Sequence, residues 1–107
     1  MGEKPKFYEA LRTAHPGVID AYESLGEAIR KAGPLTDVEV ELVKLGIAGG
    51  ARVEGAIHSH VRRALEAGAS VEAIRHVGLL AITTLGLASA MAVRAMIERE
   101  LEKQGRA

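Results

Sequence analysis

Apolar residues recur along this chain at intervals of three and four, the spacing that lines one side of a helix, and no segment alternates with period two. The pattern predicts an all-α domain, a compact bundle of about six helices. A first helix runs from about Pro5 to Ala14 and stops at His15, because the residue before Pro16 avoids the helical region. Pro16 suits the first turn of a second helix reaching about Ala32, with Val18, Ile19, Tyr22, Leu25 and Ile29 as its buried set. Gly33-Pro34 closes it. Thr36-Asp37-Val38-Glu39 fits a capping box and opens a third helix to about Ala48, broken by Gly49-Gly50. A fourth helix, from roughly Arg52 to Ala67, ends at Gly68. Ser70 caps a fifth to about Thr84, Gly86 marks a break, and a last helix covers about Ala88 to Lys103. Residues 1–107 read as a single domain.

Two of these stripes carry an ionisable residue where an apolar one belongs. On the fourth helix Val53, Ala56, Ile57, His60, Val61 and Ala64 share one side, while Glu54, His58, Arg62 and Glu66 follow the other. On the third, Glu41 falls among Val38, Leu42, Leu45 and Ala48. An unsatisfied buried polar group costs roughly 1–3 kcal/mol, so His60 needs a partner. If the two helices fold back on each other across Gly49-Gly50, Glu41 and His60 face one another. Apolar surroundings raise a carboxyl pKa, and a neighbouring imidazole can trade its proton, so such a pair suits general acid/base catalysis. The same pattern also fits a structural hydrogen bond that orients two helices, or a Glu41 that reaches out to solvent.

Other chemistry has less behind it. Glu54 and His58 stand four apart and read as a solvated pair on the polar side. His58 and His60, two apart on a helix, point in nearly opposite directions, so they do not share one metal ion, and no metal or cofactor site is expected. His15 and His76 read as a helix-end and a surface histidine. Ser59 is off the His60 side and no Gly-x-Ser-x-Gly elbow exists. Thr83-Thr84 can bring a hydroxyl near the site, against the commoner habit of bonding back to the helix. Arg62 and Arg63 can attract an anionic substrate or serve as solvated surface charge. Gly46 and Gly49-Gly50 do not match a phosphate-binding loop.

Composition narrows the classes. Fourteen basic residues balance fourteen acidic ones, and Phe7, Tyr8 and Tyr22 are the only aromatic residues, so no nucleic-acid footprint is expected. There is no cysteine, which removes disulfides, thiolate nucleophiles and sulfur-ligated metals. The charged start Met-Gly-Glu-Lys-Pro-Lys does not read as a secretion signal, and the expected location is cytoplasmic. Val77 to Val93 contains no charged residue, but Thr83, Thr84, Gly86 and Ser89 interrupt it, so a buried helix–break–helix pair fits better than a membrane span. Two such helices present more apolar surface than a chain of 107 residues can cover, which predicts burial between subunits of a homo-oligomer.

With these residues placed, the stretch from about Leu35 to Ile97 resembles the carboxymuconolactone decarboxylase/alkylhydroperoxidase D-like family. The likeness rests on the helix with Glu41, the phrase His60-Val-Arg-Arg-Ala-Leu-Glu-Ala-Gly-Ala-Ser-Val-Glu-Ala-Ile74 and the Thr-Thr-Leu-Gly86 break. It implies an all-helical fold assembled as a dimer, trimer or hexamer. In peroxidase-type members a Glu, a Cys-x-x-Cys pair and a His run thiol redox chemistry. Counted back from His60, the Glu position falls on Glu41, the cysteine positions on Val53 and Ala56, and a second histidine of some members on Gly55. The acid/base half of that site is present and the thiol half is not, so thiol peroxidase chemistry is excluded. Decarboxylase-type members work on lactones without a redox thiol. Their longer set of polar site residues is not recognisable here, so their substrate is not carried over. The leading expectation, motivated by Glu41 and His60 on stripes that should be apolar, is a proton-transfer lyase or isomerase acting on a small organic acid or lactone, with these two as its acid/base pair. A binding or assembly protein that kept the scaffold and lost the chemistry is the other expectation.

Overall fold

The computed structural model describes residues 6–107, all helix and connecting turns. Pro5, where the pattern starts the first helix, and the rest of the charged leader lie outside the described residues. Seven helices are present among them: α1 (Lys6–Ala14), α2 (Pro16–Lys31), α3 (Asp37–Ala51), α4 (Glu54–Ala67), α5 (Val71–Leu80), α6 (Ile82–Leu85) and α7 (Leu87–Lys103). The expected fifth helix is split at Ala81, where a turn gives a single further turn of helix before Gly86 takes φ 96°. The chain divides after Leu35 into two compact units.

In the first unit α1 lies on the polar side of α2. The Tyr8 hydroxyl and Arg12 Nη2 each donate to Glu23 Oε2 at 2.6 Å, and Arg12 Nη1 stands 3.9 Å from Asp20 Oδ1. This corrects the expected buried set of α2. Ile19 is buried, whereas Val18, Tyr22, Leu25 and Ile29 remain 54–64% exposed, because α1 packs on the side away from them.

The second unit, Thr36–Ala107, is built around α4, which packs on α3 along one side and on α7 along another. Leu45, Ile57, Val61, Ile74, Ile97 and Leu101 meet at its centre, each at most 1% exposed. Each such side chain contributes roughly 1.5–3 kcal/mol on leaving water. Entry to α3 is the capping box read from the sequence: Thr36 Oγ1 accepts from Glu39 N at 3.2 Å and Glu39 Oε1 accepts from Thr36 N at 2.8 Å. Ser70 Oγ likewise accepts from Ala73 N at 3.0 Å to start α5.

The expected break at Gly49-Gly50 is not where α3 ends. Both glycines lie inside the helix, and the turn falls at Arg52-Val53. Gly49 serves packing instead: a Cβ there would stand 3.1 Å from Val93 Cγ1, so its absence lets α7 press Val93 against the backbone of α3. Among the described residues α5, α6 and α7 contain no helix long and apolar enough to cross a membrane. Leu79, Leu80, Leu87 and Met91 from that uncharged stretch are exposed.

Three helices end on the same pair of backbone bonds, a Schellman motif that requires a left-handed residue. After α3, Arg52 N–H reaches Gly49 O and Val53 N–H reaches Ala48 O, both at 3.1 Å. Gly68 and Ala69 repeat the arrangement after α4, and Gly105 and Arg106 after α7. The left-handed position has φ 57° at Arg52, 102° at Gly68 and 69° at Gly105. Arginine thus occupies a conformation that suits glycine. Gly68→Ala, with open space around the new Cβ, should lose about 1 kcal/mol through backbone strain alone. Arg52→Gly should be neutral or gain up to ~1 kcal/mol. Urea melts of the two variants, read by far-ultraviolet circular dichroism, check the opposite signs.

Candidate functional site

The stripe that carries Leu45 and Ala48 into the core also carries Glu41, which is 3% exposed. The hairpin of α3 and α4 brings it to His60, whose Nδ1 lies 2.9 Å from Glu41 Oε1. The structure thus brings together the two residues that the sequence pattern singles out. An ionised carboxylate only accepts hydrogen bonds, so with Glu41 ionised the proton sits on Nδ1 and the lone pair of a neutral imidazole sits on Nε2. That assignment follows from hydrogen-bond chemistry. Among the described residues Nε2 has no protein partner, and no buried side-chain nitrogen or oxygen is left without one. Nε2 therefore reaches solvent, in keeping with a His60 side chain 16% exposed. A buried carboxylate behind an imidazole and an accessible nitrogen in front of it make a base that can accept a proton and return it.

The two positions at which the family resemblance places cysteine are apolar. Val53, the residue before the first turn of α4, is half-exposed; Ala56, one turn further on, is half-buried. With these residues no thiol stands near His60. Thr84 Oγ1 donates to Leu80 O at 3.3 Å, the back-bond that competes with any role at the site. His15 and His76 are exposed, as read from the sequence.

A second histidine–glutamate pair was not legible beforehand. His58 is not a solvated residue of a polar side. Its side chain is 17% exposed, with Nδ1 2.8 Å from Glu100 Oε1 and Nε2 3.2 Å from Glu54 Oε2. Glu100 is 1% exposed and also accepts from Gln104 Nε2 at 2.7 Å, with Arg62 Nη1 3.6 Å away. Arg62 therefore pairs with a carboxylate of α7 instead of standing as free surface charge. Burial pushes the Glu100 carboxyl upward most strongly, but the bonds from Gln104 and His58 and the charge of Arg62 together outweigh it, and the net displacement is downward. The signal lay in α7: Val93, Ile97, Glu100 and Leu101 fall on one buried stripe, the same test that singles out Glu41. Nearer the surface, Arg75 grips Glu98 through two 2.9 Å bonds and holds its carboxyl below the usual range.

His58 and His60 thus serve opposite sides of α4, one bonded to α7 and the other to α3. No three His, Asp or Glu among the described residues converge as metal ligands.

Compared with known proteins, the chain matches the family model described as the carboxymuconolactone decarboxylase family over residues 16–99. The match takes in α2, which the resemblance drawn from Leu35 to Ile97 left out. No curated protein and no solved structure matches the chain.

Proposed function

The chain belongs to the carboxymuconolactone decarboxylase family, and from that premise we propose that it is a proton-transfer enzyme, a lyase or isomerase acting on a small organic acid or lactone. The observation that carries this reading is the buried Glu41 carboxylate 2.9 Å from His60 Nδ1, with Nε2 left open. His60 takes a proton from carbon next to a carbonyl and delivers it to another atom of the substrate. Glu41 holds the tautomer and stabilises the imidazolium formed in passing. A positioned base of this kind contributes roughly 10²–10⁴-fold to a rate. Redox chemistry by the thiol route has no nucleophile here, because the chain has no cysteine and Val53 and Ala56 occupy the two positions.

Those same apolar residues favour the second reading, a binding protein that kept the scaffold without turnover. One experiment separates the two. Wild type and His60→Gln are incubated in D₂O with a panel of γ-lactones and β-keto acids, and deuterium uptake at carbon is followed by proton NMR. Uptake by wild type that falls at least 100-fold in the variant supports the enzyme. Ligand capture from a metabolite extract without any exchange, equal in both proteins by mass spectrometry, supports the binding protein.

A further inference from the structure

Helices α3 and α5 begin on a capping side chain, and α4 does not. Thr36 and Ser70 accept from the backbone of the turns they open. Val53, in the same position before α4, makes no such bond. The residues around it add little. Gly55 in the first turn is a poor helix former with open space around it, and Arg52 just upstream is held at φ 57°. A start of this kind leaves its first N–H groups to solvent and frays readily. What holds it is the side chain of its first residue. Glu54 Oε2 lies 3.2 Å from His58 Nε2, and His58 Nδ1 lies 2.8 Å from Oε1 of Glu100, buried on α7. The first turn of α4 is thus moored, through one imidazole, to a carboxylate in the core.

That mooring needs two protons. A carboxylate oxygen only accepts, so each ring nitrogen that faces one must donate, and an imidazole donates from both nitrogens only as the imidazolium. Glu100 is held as the ionised acceptor, because the bonds from Gln104 and His58 and the charge of Arg62 outweigh its burial. A neutral ring keeps a single N–H. Glu100 has the stronger claim on it, at 2.8 Å inside the core, where an unmet bond costs most. Nε2 then turns a lone pair towards Glu54 and repels it. Glu54 is exposed enough to swing into water, and its other partner, Arg99 Nη2 at 3.4 Å, is an exposed surface pair of small worth. Around the ring the charged groups are Glu54 and Arg62 of α4 and Glu100 and Arg99 of α7. Helix α3 meets the other side of α4, where its Glu41 serves His60. On α5, Arg75 is bonded to Glu98, and Glu72 and His76 are exposed.

We propose that His58 is a proton-operated clasp on the first turn of α4: the doubly protonated ring ties Glu54 to Glu100 and orders the turn, and the ring that has lost a proton releases it. Histidine changes charge between about pH 5 and 8. The clasp is shut on the acid side of that range and opens as pH rises through it, since the shut form holds the extra proton. The turn lies beside His60, with Ala56 four residues and Val53 seven residues before it on the same side of α4. The clasp stands whether or not His60 is a catalytic base. Site-resolved NMR of the full-length protein, labelled with ¹⁵N and ¹³C, reads both of its parts. At about pH 5.5 both ring nitrogens of His58 should carry hydrogen, and Gly55 and Ala56 should show helical carbon shifts. By about pH 8.5 the ring should have lost one proton, and the open population of the turn should have risen about threefold over the same midpoint. The Ser70-capped start of α5 should not respond. Glu54→Gln should remove the response, because an amide accepts from the charged ring and donates to the neutral one. His60→Gln should retain it. A His58 ring with the same protonation at both pH values overturns the proposal, and so does a ring that titrates without change at Gly55 and Ala56. An undiminished response in Glu54→Gln, or its loss in His60→Gln, overturns it as well. The wild-type titration decides alone where a variant fails to fold.

Discussion

Glu100→Ala should cost about 3–5 kcal/mol of folding stability, the loss expected when one member of a buried, hydrogen-bonded charge cluster is removed. Glu100 is 1% exposed and accepts from Gln104 and His58, with Arg62 alongside. Truncation removes the buried anion that His58 and Arg62 of α4 share and leaves Gln104 without its acceptor. For a domain stable by some 5–15 kcal/mol, the change removes a large share of the total. The double variant His58→Leu/Glu100→Leu should recover part of it, because the two leucines need no counter-ion while Arg62 and Gln104 still lose Glu100. Urea unfolding of the single and double variants measures both. The cluster also fixes an acid limit. The folded-state carboxyl lies below its ordinary value, so between the two values the unfolded chain binds the proton and the folded chain does not. The stabilisation is therefore full above the ordinary carboxylate range, near pH 4.3, and is lost as pH falls through the lower folded value. Glu98, held by Arg75, acts in the same direction from a more exposed position. Glu100→Gln keeps the shape without the titration, and its stability should vary less with pH below about 4 than that of wild type. Equal slopes in the two proteins would assign acid unfolding to other groups.

The contrast between Glu41 and Glu100 shows where pattern reading succeeds. Glu41 stood out because Val38, Leu45 and Ala48, three, four and seven residues away on its side of the helix, are apolar, and a capping box fixed the phase of the helix. Glu100 sits in Ile-Glu-Arg-Glu-Leu, where charged neighbours on the outer side make the segment look solvated throughout. The burial of His58 follows from Glu100 and was hidden with it. Element ends were legible where a side chain makes the cap, as at Thr36 and Ser70, or where glycine takes the left-handed residue, as at Gly68. Arg52 in that role gave no signal, and Gly49-Gly50 gave a false one, because a glycine that makes room for Val93 looks the same as a glycine that turns the chain. On α2 the periodicity marked an apolar stripe correctly. Periodicity does not say what covers a stripe, and α1 packs on the other side.

Glu41→Gln should abolish most proton-transfer activity while leaving the fold in place. Glutamine nearly matches glutamate in shape and can still bond His60 Nδ1, so the hairpin of α3 and α4 keeps its 2.9 Å contact point. Two properties are lost. A neutral amide no longer offsets the positive charge that His60 acquires when it accepts a proton. Its NH₂ group can also donate to Nδ1, which selects the tautomer with hydrogen on Nε2 and leaves no lone pair toward the substrate. Errors of tautomer and charge at a carboxylate–histidine pair lower rates by about 10²–10⁴. Deuterium uptake by the lactone and keto-acid panel should fall by that factor in Glu41→Gln, mainly in kcat, and should recover in part in Glu41→Asp, which restores the charge on a shorter arm. Since Glu41 acts through His60, the double variant Glu41→Gln/His60→Gln should be no slower than His60→Gln alone. A purely structural bond predicts the opposite set of results: unchanged exchange in Glu41→Gln, with any effect confined to the melting temperature.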